Sequence, residues 1–278
     1  MKKTLSLTLA AVVGLSLGVS NPVSAQVTQS TSSTYKVKEL ENERVKGIKD
    51  FDPAKINQTL EKMGFNSSEL SSMSDALKKE ISQTGGKKVD LIPVSQKETK
   101  SKEQVRYSIN KPEAVIENGL TFNLFAIYEG TEGSDNIYRI YSNGYWLQIP
   151  YLKTNDTIGI FWDSKVTPIK NANSARQTWF NPNDQEDYLK ADESSIYGTQ
   201  WKMPFKEGAS MFGAYTYQKV KVPTKYNGTD IEVGAGFMHP YLKRQENTPF
   251  KFAPGTVDFN NVKGYGYTLK YKITVGAK

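Results

Sequence analysis

The sequence predicts a mainly β fold: an antiparallel β-sandwich of jelly-roll type, preceded by a small two-helix N-terminal segment. Three observations carry this. From Gln104 onward, short runs rich in Val, Ile, Tyr, Phe, Trp and Thr alternate with polar residues. Those runs are separated by Gly, Asn, Pro and Asp clusters rather than by capped helical stretches. Helical periodicity is confined to residues 52–84, ahead of the β pattern.

In chain order, Lys2 and Lys3 open a basic head, Thr4 to Val19 is apolar, and Val23-Ser24-Ala25 is a small-residue cleavage site. This is the pattern of a secretory signal peptide over residues 1–25, with a mature start at Gln26. No later stretch is apolar enough to span a bilayer. The chain has no cysteine, which excludes disulfides, thiolate metal sites and a lipidated-Cys anchor. Export without such an anchor points to a secreted, extracellular bacterial protein.

Residues 26–34 are Ser/Thr/Gln-rich and read as unstructured. Asp52-Pro53 is an N-cap followed by proline, and Ile56, Leu60 and Met63 recur at helical spacing. Gly64 breaks that helix. A second, with Leu70, Met73, Leu77 and Ile81 in its stripe, ends at Gly85-Gly86. Lys97 to Lys102 is polar throughout and reads as a protease-sensitive linker. Residues 26–102 are therefore either a removable helical pro-region or a permanent N-terminal cap, and residues 103–278 form the β-sandwich domain.

Within that domain, Asn143-Gly144 lies between two apolar-rich runs and predicts a two-residue hairpin turn. Its register sets Tyr138, Ile140, Leu147 and Ile149 on a core face. Arg139, Gln148, Tyr141 and Trp146 fall on a wetter one, with Trp146 an exposed aromatic. Asn227-Gly228 predicts a second hairpin, with Val222 opposite Val233 and Lys225 opposite Asp230. The last strand is the cleanest. Tyr265, Tyr267, Leu269, Tyr271, Ile273 and Val275 share one face, and Thr268, Lys270, Lys272 and Thr274 share the other.

Charge is uneven: residues 103–201 hold 8 Lys/Arg against 13 Asp/Glu, and residues 202–278 hold 12 against 5. The expected binding set is Lys219, Lys221, Lys225, Lys270 and Lys272 for an anionic surface, beside Arg139, Tyr141 and Trp146 for lipid or glycan. Nucleic acid is disfavoured, because the tryptophans sit in the acidic half.

His239 is the sole histidine, so His-rich zinc sites are excluded, and no Gly-x-Ser-x-Gly elbow accompanies it. Glu129, Glu132, Asp163, Glu193 and Glu232 fall near strand ends in an aromatic-rich β-domain. That make-up is similar to jelly-roll glycanases and would imply paired-carboxylate glycoside hydrolysis. The Glu-x-Asp-x-x-Glu strand motif of one such family is missing. No cofactor motif is present. The oxygen-rich loop Asn181 to Asp187 would suit a hard cation such as calcium through Asn183, Asp184 and Asp187.

The expected function is attachment of a secreted protein to an anionic membrane, cell envelope or cell-wall polymer. An antibacterial toxin of bacteriocin type, freed from a precursor by a processing protease, is the sharper form of that reading. The alternative is an extracellular carbohydrate-binding module or carboxylate-dependent glycoside hydrolase. A fibre-forming matrix component is a third.

Overall fold

The computed structural model describes residues 39–49, 52–94, 105–108, 115–117 and 119–277. The expected signal peptide, the Ser/Thr-rich stretch after it and the linker at 97–102 lie outside the described residues.

The helical segment contains α1 (Pro53–Met63), α2 (Ser67–Ser71) and α3 (Asp75–Thr84). Asp52 accepts from the Ala54 N–H and Gly64 closes α1 at φ 108°. Asn66 and Glu69 form a reciprocal capping box on α2, and Ser74 caps α3. The expected second helix is thus two, because Ser74 starts a new one. The predicted stripe Ile56, Leu60, Met63, Leu70, Met73, Leu77 and Ile81 is buried throughout, against Phe125, Ile127, Tyr141 and Tyr215. Each such burial contributes about 1.5–3 kcal/mol, whereas a cap contributes about 1 kcal/mol, so packing holds these short helices in place.

Strands β1 (Val45–Lys46), β2 (Gly85–Val89) and β3 (Ile92–Pro93) flank and follow the helices. Next come β4 (Val105–Ser108), β5 (Val115–Glu117), β6 (Leu120–Glu132), β7 (Asp135–Trp146), β8 (Asp156–Trp162) and β9 (Thr167–Phe180). They are followed by β10 (Asp184–Tyr188), β11 (Ala191–Ser195), β12 (Gly198–Met203), β13 (Met211–Pro223) and β14 (Asp230–Pro240). A small hairpin, β15 (Lys251–Ala253) with β16 (Thr256–Asp258), precedes β17 (Gly264–Thr274).

Two sheets result. The first runs β1-β2-β6-β7-β13-β9-β10, with β5 on β6; the second runs β11-β12-β8-β14-β17-β3, with β4 parallel to β17. All other pairings are antiparallel. They enclose one core containing Phe122, Tyr138, Trp146, Ile160, Trp162, Trp201, Phe212 and Phe237. This is the predicted antiparallel β-sandwich with its N-terminal helices. The helices cover the outer face of the first sheet, while β2 pairs with β6 and β3 pairs with β17. On the outer face of the second sheet, Gly159, Gly198 and Gly236 leave room for the rings of Phe250, Phe252 and Phe259. Phe250 and Phe259 form a small core of their own with Met238 and Val262.

Both predicted Asn-Gly turns are corrected. Asn143 and Gly144 lie inside β7, paired with Asn123 and Phe122 of β6. The turn is Gly133-Ser134, between the paired Glu132 and Asp135, with Gly133 at φ 59°. Gly144 is required for packing: a Cβ there would lie 2.9 Å from the Phe237 ring. Leu147, expected in the core, is instead exposed beyond the end of β7. Asn227-Gly228 joins no hairpin either. Strand β13 belongs to the first sheet and β14 to the second, with a short 3-10 turn at Thr224–Tyr226 carrying the chain across. Asn227 instead accepts a 2.7 Å hydrogen bond from Asn136. The predicted faces of the last strand hold: Tyr267, Leu269, Tyr271, Ile273 and Val275 point into the core.

Candidate functional site

The aromatic and arginine residues read as surface contacts are sealed inside. Trp146 is 1% exposed, and its indole N–H donates to Asp156 Oδ2 at 2.7 Å. The cause is register: with no turn at Asn143, Trp146 shares the inward face with Tyr138 and Ile140. Tyr141 and Arg139 point the other way, under the helices. Tyr141 stacks on Phe125 at 5.0 Å. Arg139 donates to Glu129 Oε1 at 2.6 Å and to Thr84 Oγ1 at 3.2 Å, and pairs with Glu80 at 3.4 Å. It ties the sheet to the last turn of α3.

The five lysines do not share a surface. Lys219 and Lys221 lie on the helix-covered side of the first sheet, paired with Glu129 at 3.1 Å and Asp135 at 3.5 Å. Lys270 and Lys272 lie on the outer side of the second sheet, paired with Glu232 at 2.9 Å and Asp230 at 3.9 Å. Lys225 sits over the Tyr226 ring at 5.1 Å. The thickness of the sandwich separates the two pairs, and each lysine of those pairs has a local counter-charge.

The acidic loop is mostly strand. Asp184 and Asp187 both belong to β10, where three residues' separation sends them to opposite faces. Asp187 pairs with Lys206 at 2.6 Å, so Asn183, Asp184 and Asp187 do not converge on a cation. Among the described residues no group of three or more acidic or histidine side chains is placed to hold a metal ion. The carboxylates considered for glycan hydrolysis are also engaged. Glu129 and Glu132 meet Lys219, Glu232 meets Lys270, and Asp163 accepts from the backbone of Lys165 and Glu232. The Glu193 side chain lies outside the described residues.

Sequence reasoning missed the polar cluster at one end of the core. His239 Nδ1 lies 2.6 Å from Asp156 Oδ1, and both residues are fully buried beside Trp146. Burial pushes the Asp156 carboxyl above its ordinary value, while the bonds from His239 and Trp146 pull it back. One residue earlier, Asn155 ties three loops together. Its N–H and Nδ2 donate to the two oxygens of Glu246 at 3.1 Å each, and its Oδ1 accepts from the Phe205 N–H at 2.9 Å.

The loops joined by this knot carry an exposed apolar stretch. Residues 147–153, between β7 and β8, carry Leu147 at 46% exposure and Tyr151 at 97%, with Ile149, Pro150 and Leu152 partly exposed between them. Lys153 is exposed and pairs loosely, at 3.5 Å, with the equally exposed Glu207 of the second tied loop. The third tied loop follows β14 and carries Lys243 and Arg244, both exposed and, among the described residues, without an ion pair. This is an apolar, aromatic-tipped loop with exposed cations on the loops tied to it. A gap between strands rich in Leu, Ile and Tyr, yet free of alternation with a partner run, was the sequence signal for it.

No family model matches the chain, and no curated protein matches it. Among solved structures it is similar to the collagen binding domain of the Erysipelothrix rhusiopathiae surface protein RspB, at 8% identity and a TM-score of 0.33 over 56% of this chain and 46% of that one. It is also similar to the collagen binding subdomain of the Enterococcus faecalis surface protein ACE, at 8% identity and 0.31 over 52% and 90%. A third is the Clostridium perfringens NetB toxin in its membrane inserted form, at 8% identity and 0.28 over 57% and 89%. Likenesses this distant carry no argument about function.

Proposed function

We infer that the protein is an exported attachment protein that settles on an anionic envelope surface, a bilayer face foremost, with the end of the sandwich that carries Tyr151. The supporting observation is a fully exposed tyrosine on an apolar loop tied through Asn155 to Glu246, whose own loop carries the exposed Lys243 and Arg244, neither with an ion pair among the described residues. An aromatic ring with one apolar and one polar end suits the headgroup level of a membrane, and neighbouring cations attract anionic lipid. This replaces the lysine set expected from sequence, of which Lys219, Lys221, Lys270 and Lys272 are met by carboxylates within the fold. Among the described residues no helix is long and apolar enough to cross a membrane.

Sedimentation of the protein with anionic and with zwitterionic vesicles tests it. Each cation near an anionic surface contributes about 1 kcal/mol, so replacing Lys243 and Arg244 together by Gln should weaken anionic-vesicle binding about thirty-fold. Tyr151→Ser should weaken it further while leaving the unfolding midpoint unchanged. Equal binding to both vesicle types, or binding indifferent to all three changes, would sink the proposal. Release of a trapped dye would extend attachment to a membrane-damaging, bacteriocin-type activity.

A further inference from the structure

A second feature is independent of that surface and lies in the middle of the sandwich. On the inner face of the first sheet, Ser142 of β7, Thr216 of β13 and Ala175 of β9 form one cross-strand row, and Gly144, Ala214 and Gln177 form the next. Elsewhere the same strands fill inward positions with large apolar residues such as Ile140 and Val220. Here the side chains are small or polar, and Ser142, Thr216 and Gln177 are fully buried.

Two hydrogen bonds cross the core and fix the second sheet over these rows. Thr199 Oγ1 of β12 donates to Gln218 Oε1 of β13 at 3.1 Å. Gln177 Nε2 donates to the carbonyl of Pro204, just past the end of β12, at 2.6 Å. On β13, Gln218 lies to one side of Thr216, and Ala214, the partner of Gln177, lies to the other. On β12, Trp201 lies between Thr199 and Pro204 and points inward. The two ties therefore bracket both Trp201 and the Ser142–Thr216 row.

Four polar atoms in this stretch have no hydrogen-bond partner among the described residues: Ser142 Oγ, Thr216 Oγ1, Gln177 Oε1 and Trp201 Nε1. Each unmet group in a core lowers the folding equilibrium constant by roughly five- to hundred-fold, so four would cancel much of an ordinary domain's stability. The four are also complementary to one small molecule. The indole N–H only donates. Gln177 Oε1 only accepts, and its amide nitrogen is turned to the Pro204 carbonyl. Each hydroxyl can do either. Water, with two hydrogens and two lone pairs, meets such a set.

We propose that a water is bound here between the sheets, accepting from Trp201 and from one of the Ser142 and Thr216 hydroxyls, and donating to Gln177 and to the other hydroxyl. It joins β7, β9 and β13 of the first sheet to β12 of the second. The site is separate from the Tyr151 end, and vesicle binding does not depend on it.

The test uses the full chain. In NMR cross-relaxation spectra, the Trp201 indole proton, identified by its loss in Trp201→Phe, should show a cross-peak to a long-lived water, although the residue is sealed from bulk solvent. Thr216→Val keeps the shape of the side chain and deletes the hydroxyl. It should lower the folding equilibrium constant in urea unfolding about five-fold, as loss of a made hydrogen bond implies. A hydroxyl with no partner would give the opposite sign, because a methyl in its place relieves an unmet group. A Trp201 proton silent toward water, or a Thr216→Val protein at least as stable as the wild type, would each overturn the assignment.

Discussion

Asp156 sits at the inner end of β8 with both carboxylate oxygens occupied, one by the Trp146 indole and one by His239. Asp156→Asn would turn an amide N–H2 toward one of these donors and leave a buried N–H unmet. It should cost about 1–3 kcal/mol in urea unfolding at neutral pH. Burial raises the folded value of this carboxyl above its ordinary one, so ionising it in the fold is a cost. The stability it supplies is full below the unfolded carboxylate value of about 3.9 and is lost as pH rises through the raised value. The gap between wild type and Asp156→Asn should therefore be widest in acid and narrow toward neutrality. A gap that widened instead would contradict this reading of the site. Arg139 makes the same point for a charge. With Glu129, Glu80 and Thr84 all turned to it, Arg139→Met should destabilise the fold by about 3 kcal/mol, because the partly buried Glu80 loses this cation and Glu129 is left with Lys219 alone. Little of this was legible beforehand. Arg139 was read as wet because arginine is seldom buried without a partner, and its partners Glu80 and Thr84 lie more than fifty residues away on a helix.

At the scale of elements, the stripe of α1 and α3 and both faces of β17 were readable because each follows one period without interruption. The turns were not. Asn-Gly carries a strong local preference for a hairpin, yet in β7 the glycine answers a ring on the opposite sheet and the asparagine reaches the helical layer, donating to the Ser72 carbonyl at 3.2 Å. A preference of this size yields to the burial of Phe122, Tyr138 and Trp146 on one strand pair. The same holds at Asn227, whose side chain serves Asn136. The helices also bear a testable consequence. A chain begun at residue 103 would lack α1, α2, α3 and β1 to β3, and would bare Phe125, Ile127, Tyr141 and Tyr215. It should bind a hydrophobic dye and unfold at lower temperature than the longer form. If it folds as stably as the whole, residues 26–102 are dispensable to the fold and the removable pro-region gains ground.

The described residues form four layers: helices, two sheets, and the phenylalanine-bearing hairpin β15–β16. Its covers come from the chain itself, and so do most of its counter-ions. The net charge of +7 gives no basic plate on either sheet, since neighbouring strands supply Glu129, Asp135, Asp230 and Glu232 to the lysines beside them. Composition showed an excess of cations in residues 202–278 but could not show which were answered locally. Register decides that, and register depends on which sheet each strand joins. The candidate surface was invisible for the same reason, since Tyr151 and Lys243 are more than ninety residues apart in sequence and their loops are joined only through the Asn155–Glu246 bonds.

Three loops at that end hang from one side chain, Asn155. Their mutual arrangement is set during folding, so the entropy of ordering them is spent before any encounter. A surface arriving there would meet a finished stamp instead of loose fingers, and contact could be lost by cutting the string behind the stamp while every residue on its printing face stayed as it was.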